Sequence, residues 1–224
     1  MAIANRYRVT VLALAALLAA GLLAAVLAKP AWADDTLCVG TLTGPHDNVV
    51  VPPGATCTLL NAQVQGSVKA LEDSELRGGV NTVQGNVIGD KAEVVIFNAS
   101  TVRGNIEIKE GEDDNPGRDV DIFNTTVQEG NIKVEKMTGD ITVEESHVLK
   151  GNIQIFENLI SGTIFGLDII RSDTAQDLQV FKNKGPEPKT VTGNTVGQNL
   201  QCFENDPPFE GGPNTAQKAE GQCF

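Results

Sequence analysis

The chain has 224 residues, with 29 acidic against 17 basic side chains and a formal charge of −12. That balance repels nucleic-acid phosphates and anionic lipid headgroups, whose binding depends on neutralising lysine and arginine, so no nucleic-acid partner is expected. Only two histidines occur, His46 and His147, and neither His-x-x-His nor His-Glu-x-x-His is present, which removes the ligand set of a metal hydrolase.

The chain opens with Arg6 and Arg8, followed by an Ala- and Leu-rich apolar run from Val9 to Leu27 and then by Ala31-Trp32-Ala33. A positive start, an apolar stretch and small residues at the −3 and −1 positions are the three parts of a secretory signal, read here as residues 1–33 with cleavage after Ala33. Nineteen apolar residues could also span a bilayer as an uncleaved anchor, and Pro30 together with the Ala-x-Ala signal favours cleavage. No second apolar run of spanning length follows, so no integral membrane segment is expected after cleavage. Cleavage would remove three basic residues and no acidic one, taking the formal charge from −12 to −15.

Residues 34–60, with Pro52-Pro53-Gly54, read as an N-terminal cap. A repeat then fills residues 61–205. Its unit is Gly, then Asn or another small polar residue, then alternating β-branched positions, as in Gly85-Asn86-Val87, Gly104-Asn105-Ile106, Gly130-Asn131-Ile132 and Gly151-Asn152-Ile153. Gly66 to Gly85 and Gly85 to Gly104 are each 19 residues, and Gly130 to Gly151 is 21. Strands of three to five residues with a period of two cannot bury an apolar face alone, but stacked coils complete a shared core. The pattern predicts an all-β, single-stranded parallel β-helix of about seven coils, and its irregular intervals lean towards the right-handed form. Hairpin folds turn every 8–12 residues and have no reason to repeat one corner sequence at this spacing.

Gly followed by Asn marks the corners, where left-handed or otherwise tight backbone is tolerated, and corner asparagines are expected to form a ladder. A second feature, Ile96-Phe97-Asn98, recurs as Ile122-Phe123-Asn124, Ile155-Phe156-Glu157-Asn158, Val180-Phe181-Lys182-Asn183 and Cys202-Phe203-Glu204-Asn205. These five phenylalanines are expected to stack along the interior. The 26-residue interval from Gly104 to Gly130 holds the polar run 110–117, read as a loop at one corner. At the far end Asp206-Pro207-Pro208 stops the last strand, and residues 206–224 read as a tail pinned by Cys223.

The four cysteines fall into two clusters, at Cys38 and Cys57 and at Cys202 and Cys223. Cys38–Cys57 and Cys202–Cys223 are the preferred pairings among the three possible, since each closes a short loop at one end. Disulfides imply a secreted or extracytoplasmic location. Ends covered in this way imply a monomer.

The coils and the ending together resemble a loose group of secreted bacterial proteins of unknown function. The matching segments are Val83-Gln84-Gly85-Asn86-Val87, Cys202-Phe203-Glu204-Asn205-Asp206-Pro207 and Gly221-Gln222-Cys223, and Gly54-Ala55-Thr56-Cys57-Thr58-Leu59 fits the same pattern. More remotely the coils are similar to the bactofilins, cytoskeletal β-helices that polymerise end to end. The export signal and the cysteine-closed ends depart from that family's pattern. The resemblance brings no catalytic residues with it.

Carboxylates are the remaining chemistry. Glu112, Asp113, Asp114 and Asn115 concentrate the hard oxygen ligands that calcium prefers, although without EF-hand spacing, so calcium is the one cofactor considered. Asp119 and Asp121, two apart on one strand, with Glu107, Glu135 and Glu144 on nearby coils, are the candidates for a carbohydrate site, where paired acids can act as acid and base. Ser146 and His147 follow Glu144-Glu145, but no Gly-x-Ser-x-Gly elbow accompanies them. The expectation is a non-enzymatic structural or interaction protein, partnered by a glycan, a cation or a protein. The alternative is a polysaccharide-binding or polysaccharide-cleaving β-helix.

Overall fold

The computed structural model describes residues 35–111, 118–161, 166–187 and 189–223. The expected signal and most of the acidic loop, including Glu112 to Asn115, lie outside these residues. The described chain forms a parallel β-solenoid of about eight turns, without helix. Every named pairing is parallel and joins a strand to its counterpart one turn later, and the core lies along the axis.

Three faces make each turn. The first carries the Gly-Asn strands Val68–Ala70, Val87–Asp90, Ile106–Lys109, Ile132–Glu135, Ile153–Phe156 and Leu178–Phe181, stacked in register so that Val68, Val87, Ile106, Ile132, Ile153 and Leu178 form one inward column. The second carries Glu75–Gly79, Val94–Asn98, Arg118–Phe123, Asp140–Glu144, Leu167–Ile170 and Lys189–Thr192. The third is narrow, with two-residue strands such as Thr82–Val83, Thr101–Val102, Thr126–Val127 and His147–Val148. Burial alternates along the strands, as period-two patterning requires: Ile106 and Ile108 are sealed while Glu107 and Lys109 between and after them are half-exposed. Each sealed Val, Ile or Leu contributes about 1.5–3 kcal/mol of apolar burial.

The parallel ladder runs past both ends of the 61–205 repeat. Within the expected cap, Gly40–His46 pairs with Thr56–Val64, and Asn48–Val51 pairs with Val68–Ala70. Within the expected tail, Glu210–Gly211 and Thr215–Gly221 pair with the preceding coil. The end segments are coils themselves, which raises the number of turns above the seven expected. Cys38 and Cys57 stand at disulfide distance with Cα atoms 5.5 Å apart, and Cys202 and Cys223 with Cα atoms 5.6 Å apart. All four are buried, so each pair ties an end coil to its neighbour from inside.

The Gly-Asn corner works by close approach. Gly66, Gly85, Gly104, Gly130 and Gly151 are absent from the left-handed region, yet a Cβ on Gly85, Gly104, Gly130 or Gly151 would lie 2.2–2.7 Å from the carbonyl oxygen of the glycine below. The left-handed positions sit at the other two corners and are mostly not glycine: Lys91, Glu110, Lys136, Glu157, Lys182 and Glu204 follow the first face, and Val80, Ala99, Asn124, Glu145 and Arg171 follow the second.

Polar ladders run up all three corners. At the Gly-Asn corner the amide Nδ2 groups of Asn105, Asn131 and Asn152 each donate to the Asn Oδ1 one coil earlier, at 3.2–3.3 Å. Asn158, Asn183 and Asn205 form a buried ladder after the first face, and Ser100, Thr125, Ser146, Ser172 and Asn194 continue a third after the second. These side chains satisfy backbone donors that the bends leave outside the strand ladders.

The phenylalanines do not form one interior stack. Phe97 is sealed on the second face, over the space left by Gly78, whose added Cβ would meet its ring at 2.7 Å. Phe123 lies on that same face one position out of step, because Ile122 is the residue in register with Phe97, and it is therefore exposed. Phe156, Phe181 and Phe203 belong to the first face and point outward.

Candidate functional site

The outward side of the first face changes character along the axis. Nearer the N-terminal end it is ionic: Lys69 lies 3.7 Å from Asp90, and Lys133 lies 2.8 Å from Glu135. Further on it is neutral. Gln154 donates to Gln179 at 2.8 Å, Gln179 to Gln201 at 3.1 Å and Gln201 to Glu220 at 3.2 Å. Beside that amide column Phe156 and Phe181 stack with ring centroids 5.4 Å apart, and Phe181 and Phe203 lie 5.8 Å apart with tilted planes. The Lys133–Glu135 contact comes from strand alternation, since the two flank inward Val134 and emerge together, while Lys69 reaches Asp90 diagonally on the next coil.

The corner after this face bears a column of alternating charge. Glu72, Lys91, Glu110, Lys136, Glu157, Lys182 and Glu204 follow one another on successive coils, all exposed. Lys91 meets Glu72 at 3.7 Å, Lys136 meets Glu110 at 3.7 Å and Lys182 meets Glu157 at 3.3 Å. Shallow grooves flank the column, one beside Glu72, Lys91 and Glu110 and another beside Glu157, Lys182 and Leu159. At the opposite corner Arg103 and Lys150 both reach Glu129, at 3.1 and 3.6 Å, and Arg103 holds that carboxyl below the usual carboxylate range, first through its hydrogen bond. Glu220 is likewise lowered by hydrogen bonds from Lys218 and Gln201.

The carboxylates singled out in the sequence do not share a place. Asp121 is 7 % exposed, seated between Ile96 and Thr142 in register on the second face, and the side chain of Asp119 lies outside the described residues. Glu107 and Glu135 are on the first face. Glu144 is on the second, where it pairs with Arg171, which also bonds Glu145 at 2.9 Å. Ser146 and His147 diverge: the Ser146 hydroxyl is sealed in its corner, donating to the Ile122 carbonyl at 3.0 Å, while His147 Nδ1 meets Asp173 at 3.0 Å. Among the described residues no three His, Cys, Asp or Glu side chains gather as a metal site. No helix among the described residues is long and apolar enough to cross a membrane.

Among the described residues one basic side chain is buried. Lys189 takes an inward position in register with Leu167 and is fully sealed; its ammonium donates to the carbonyls of Gly185 at 3.0 Å, Asp206 at 2.9 Å and Glu187 at 3.4 Å. Burial pushes its pKa down, against the pull of Asp206 and Glu187. Neither Lys189 nor the alternating column was visible to motif reading. Aligning the coils and reading the residue that follows each first-face strand would have found the column.

No protein-family model, curated protein or solved structure matches the chain. The arrangement can offer long, regular, half-buried surfaces with charge set coil by coil.

Proposed function

We propose that this protein is a non-enzymatic interaction scaffold of the secreted or envelope space, acting through the regular surface of a stiff solenoid. The alternating column from Glu72 to Glu204 carries this reading: acids and bases meet opposite charges on neighbouring coils, where a catalytic site would draw them together around one point. Two further observations support it. The cysteine pairs suit an oxidising, extracytoplasmic compartment, and the Arg6 to Ala33 pattern suits export. The likeness of the Gly-Asn-Val/Ile coils to secreted bacterial proteins of unknown function, and more distantly to bactofilins, agrees with a structural role.

The test is a screen of neutral and acidic polysaccharides, with and without calcium, read for binding and for release of reducing ends. The scaffold reading expects no turnover. Turnover that is lost on Asp119→Asn or Asp121→Asn would overturn it in favour of a polysaccharide-cleaving β-helix.

A further inference from the structure

The first face carries two outward columns, so each coil presents a row of two side chains. Glu107 is paired in its row with Lys109, and Lys133 with Glu135. In the next three rows Gln154 is paired with Phe156, Gln179 with Phe181 and Gln201 with Phe203. From Lys69 to Phe203 the columns hold three cations (Lys69, Lys109, Lys133) and three anions (Asp90, Glu107, Glu135), so this stretch is neutral, with Glu220 on the last coil as its one excess charge, in a chain of net charge −12.

Consider two copies laid face to face about a twofold axis parallel to the solenoid axis. Each row then meets the same row of the second copy with its two positions exchanged, and such an interface is self-complementary only if the two members of every row suit each other. In the five rows from Glu107 to Phe203 they do: Glu107 faces Lys109 of the second copy, Lys133 faces Glu135, and each glutamine faces a phenylalanine. No row holds two like charges: Ile88 accompanies Asp90 and Leu71 accompanies Lys69, while Gln222 turns its amide to Asn205 at the corner and leaves Glu220 without a row-mate. The groove lined by Glu107, Lys133 and Gln154 lies opposite the column of Lys109, Glu135 and Phe156.

We infer that this face is a self-association surface and that its occupant is a second copy of the chain, aligned parallel. The antiparallel arrangement also matches the four central charges, but it sets the rows of Gln154 and Gln179 against those of Ile88 and Lys69 and so loses the glutamine–phenylalanine match. Like-charge repulsion opposes contact between acidic surfaces, and the strip from Lys69 to Phe203 carries no net charge. Coils about 4.8 Å apart and a face roughly 12 Å wide give about 500 Å² per copy and about 1,000 Å² in all, the size of a weak, reversible dimer. The inference goes beyond the scaffold role and does not rest on it, since association and glycan turnover are read by separate measurements.

Sedimentation equilibrium of the mature chain, with thermal melts to verify folding, tests the inference. A reversible monomer–dimer equilibrium is expected. Lys133→Glu should weaken it about tenfold, because the new glutamate faces Glu135 of the second copy. The double exchange Lys133→Glu with Glu135→Lys should recover it, because each row is again complementary. Phe181→Glu, which places a charge in the neutral strip, should also weaken it whether or not the double variant melts normally. A chain that stays monomeric at millimolar concentration overturns the inference, as does a dimer unmoved by Lys133→Glu and Phe181→Glu. A normally folded double variant no tighter than the single one overturns the parallel arrangement.

Discussion

The amide of Gly104 donates to the carbonyl oxygen of Gly85 at 2.9 Å, straight across from one coil to the next. The corner can close to that distance because neither residue has a side chain in the way. The approach at Gly130 is as close: an added Cβ would lie 2.5 Å from the Gly104 oxygen and 2.6 Å from Oδ1 of Asn105. The first of these is backbone held by its own ladder and cannot step aside. Gly130→Ala should therefore destabilise by about 1–3 kcal/mol, the usual cost of overpacking. Gly79→Ala is the control, since its nearest neighbour is Leu60 Cδ1 at 3.9 Å and its φ is not left-handed. Urea unfolding should separate the two, and equal losses would refute the close-approach account.

Asn183 uses its whole hydrogen-bonding capacity inside the fold. Its Nδ2 donates to Asn205 Oδ1 and to the Ile155 carbonyl, both at 3.0 Å, and its Oδ1 accepts from the Asn158 backbone amide at 3.2 Å and from Asn158 Nδ2 at 2.8 Å. Asn183→Ala strands several sealed groups at once, and a loss of about 3–5 kcal/mol is expected from their unmet bonds. Lys182→Ala, one residue earlier but exposed and held only by Glu157, should stay within about 0.5 kcal/mol. A comparable loss at both positions would mean that the turn, and not the amide ladder, sets the cost.

The parallel solenoid was readable because one corner repeats nearly without error. Gly85-Asn86-Val87 and Gly104-Asn105-Ile106 sit 19 residues apart, and each letter has a single steric or hydrogen-bonding reason. The phenylalanines misled because similarity of local sequence does not fix which face a strand joins. Ile122-Phe123-Asn124 looks like Ile96-Phe97-Asn98, yet the pairing of Ile122 with Phe97 displaces it by one residue and turns Phe123 outward. A one-residue slip reverses every side chain. The Gln and Phe columns share the same cause: Gln154, Gln179 and Gln201 are 25 and 22 residues apart, spacings that insertions hide until the coils are superposed. The end coils lack the repeated pattern: Thr215–Gly221 holds only two separated alanines among polar residues.

The cysteine pairs should act locally. In a stack where each coil touches only its neighbours, opening can begin at either end without disturbing the middle. Cys38–Cys57 and Cys202–Cys223 span 19 and 21 residues, and loops of that size confer about 3 kcal/mol each. Reduction should lower hydrogen-exchange protection in Gly40–His46 and Thr215–Gly221 while strands such as Ile132–Glu135 keep theirs. Uniform loss of protection along the chain would show instead that the solenoid unfolds as one cooperative unit.

Lys189 gives the fold a pH dependence at the alkaline end. Its pKa in the folded chain is lowered by burial from an ordinary value near 10.5. Below the lowered value both folded and unfolded chains hold the proton, and the cost of burying the charge is present in full. Between that value and about 10.5 the unfolded chain binds more protons than the folded one, so the contribution of Lys189 to stability rises with pH across this window. Lys189→Met should abolish the rise. It should also lower stability near neutral pH by about 1–3 kcal/mol, because the Gly185 and Asp206 carbonyls, at 3.0 and 2.9 Å from the ammonium, lose their donor. Chemical unfolding of both proteins at a series of pH values from 7 upward provides the measurement; a variant with an unchanged alkaline slope would place the titrating group elsewhere.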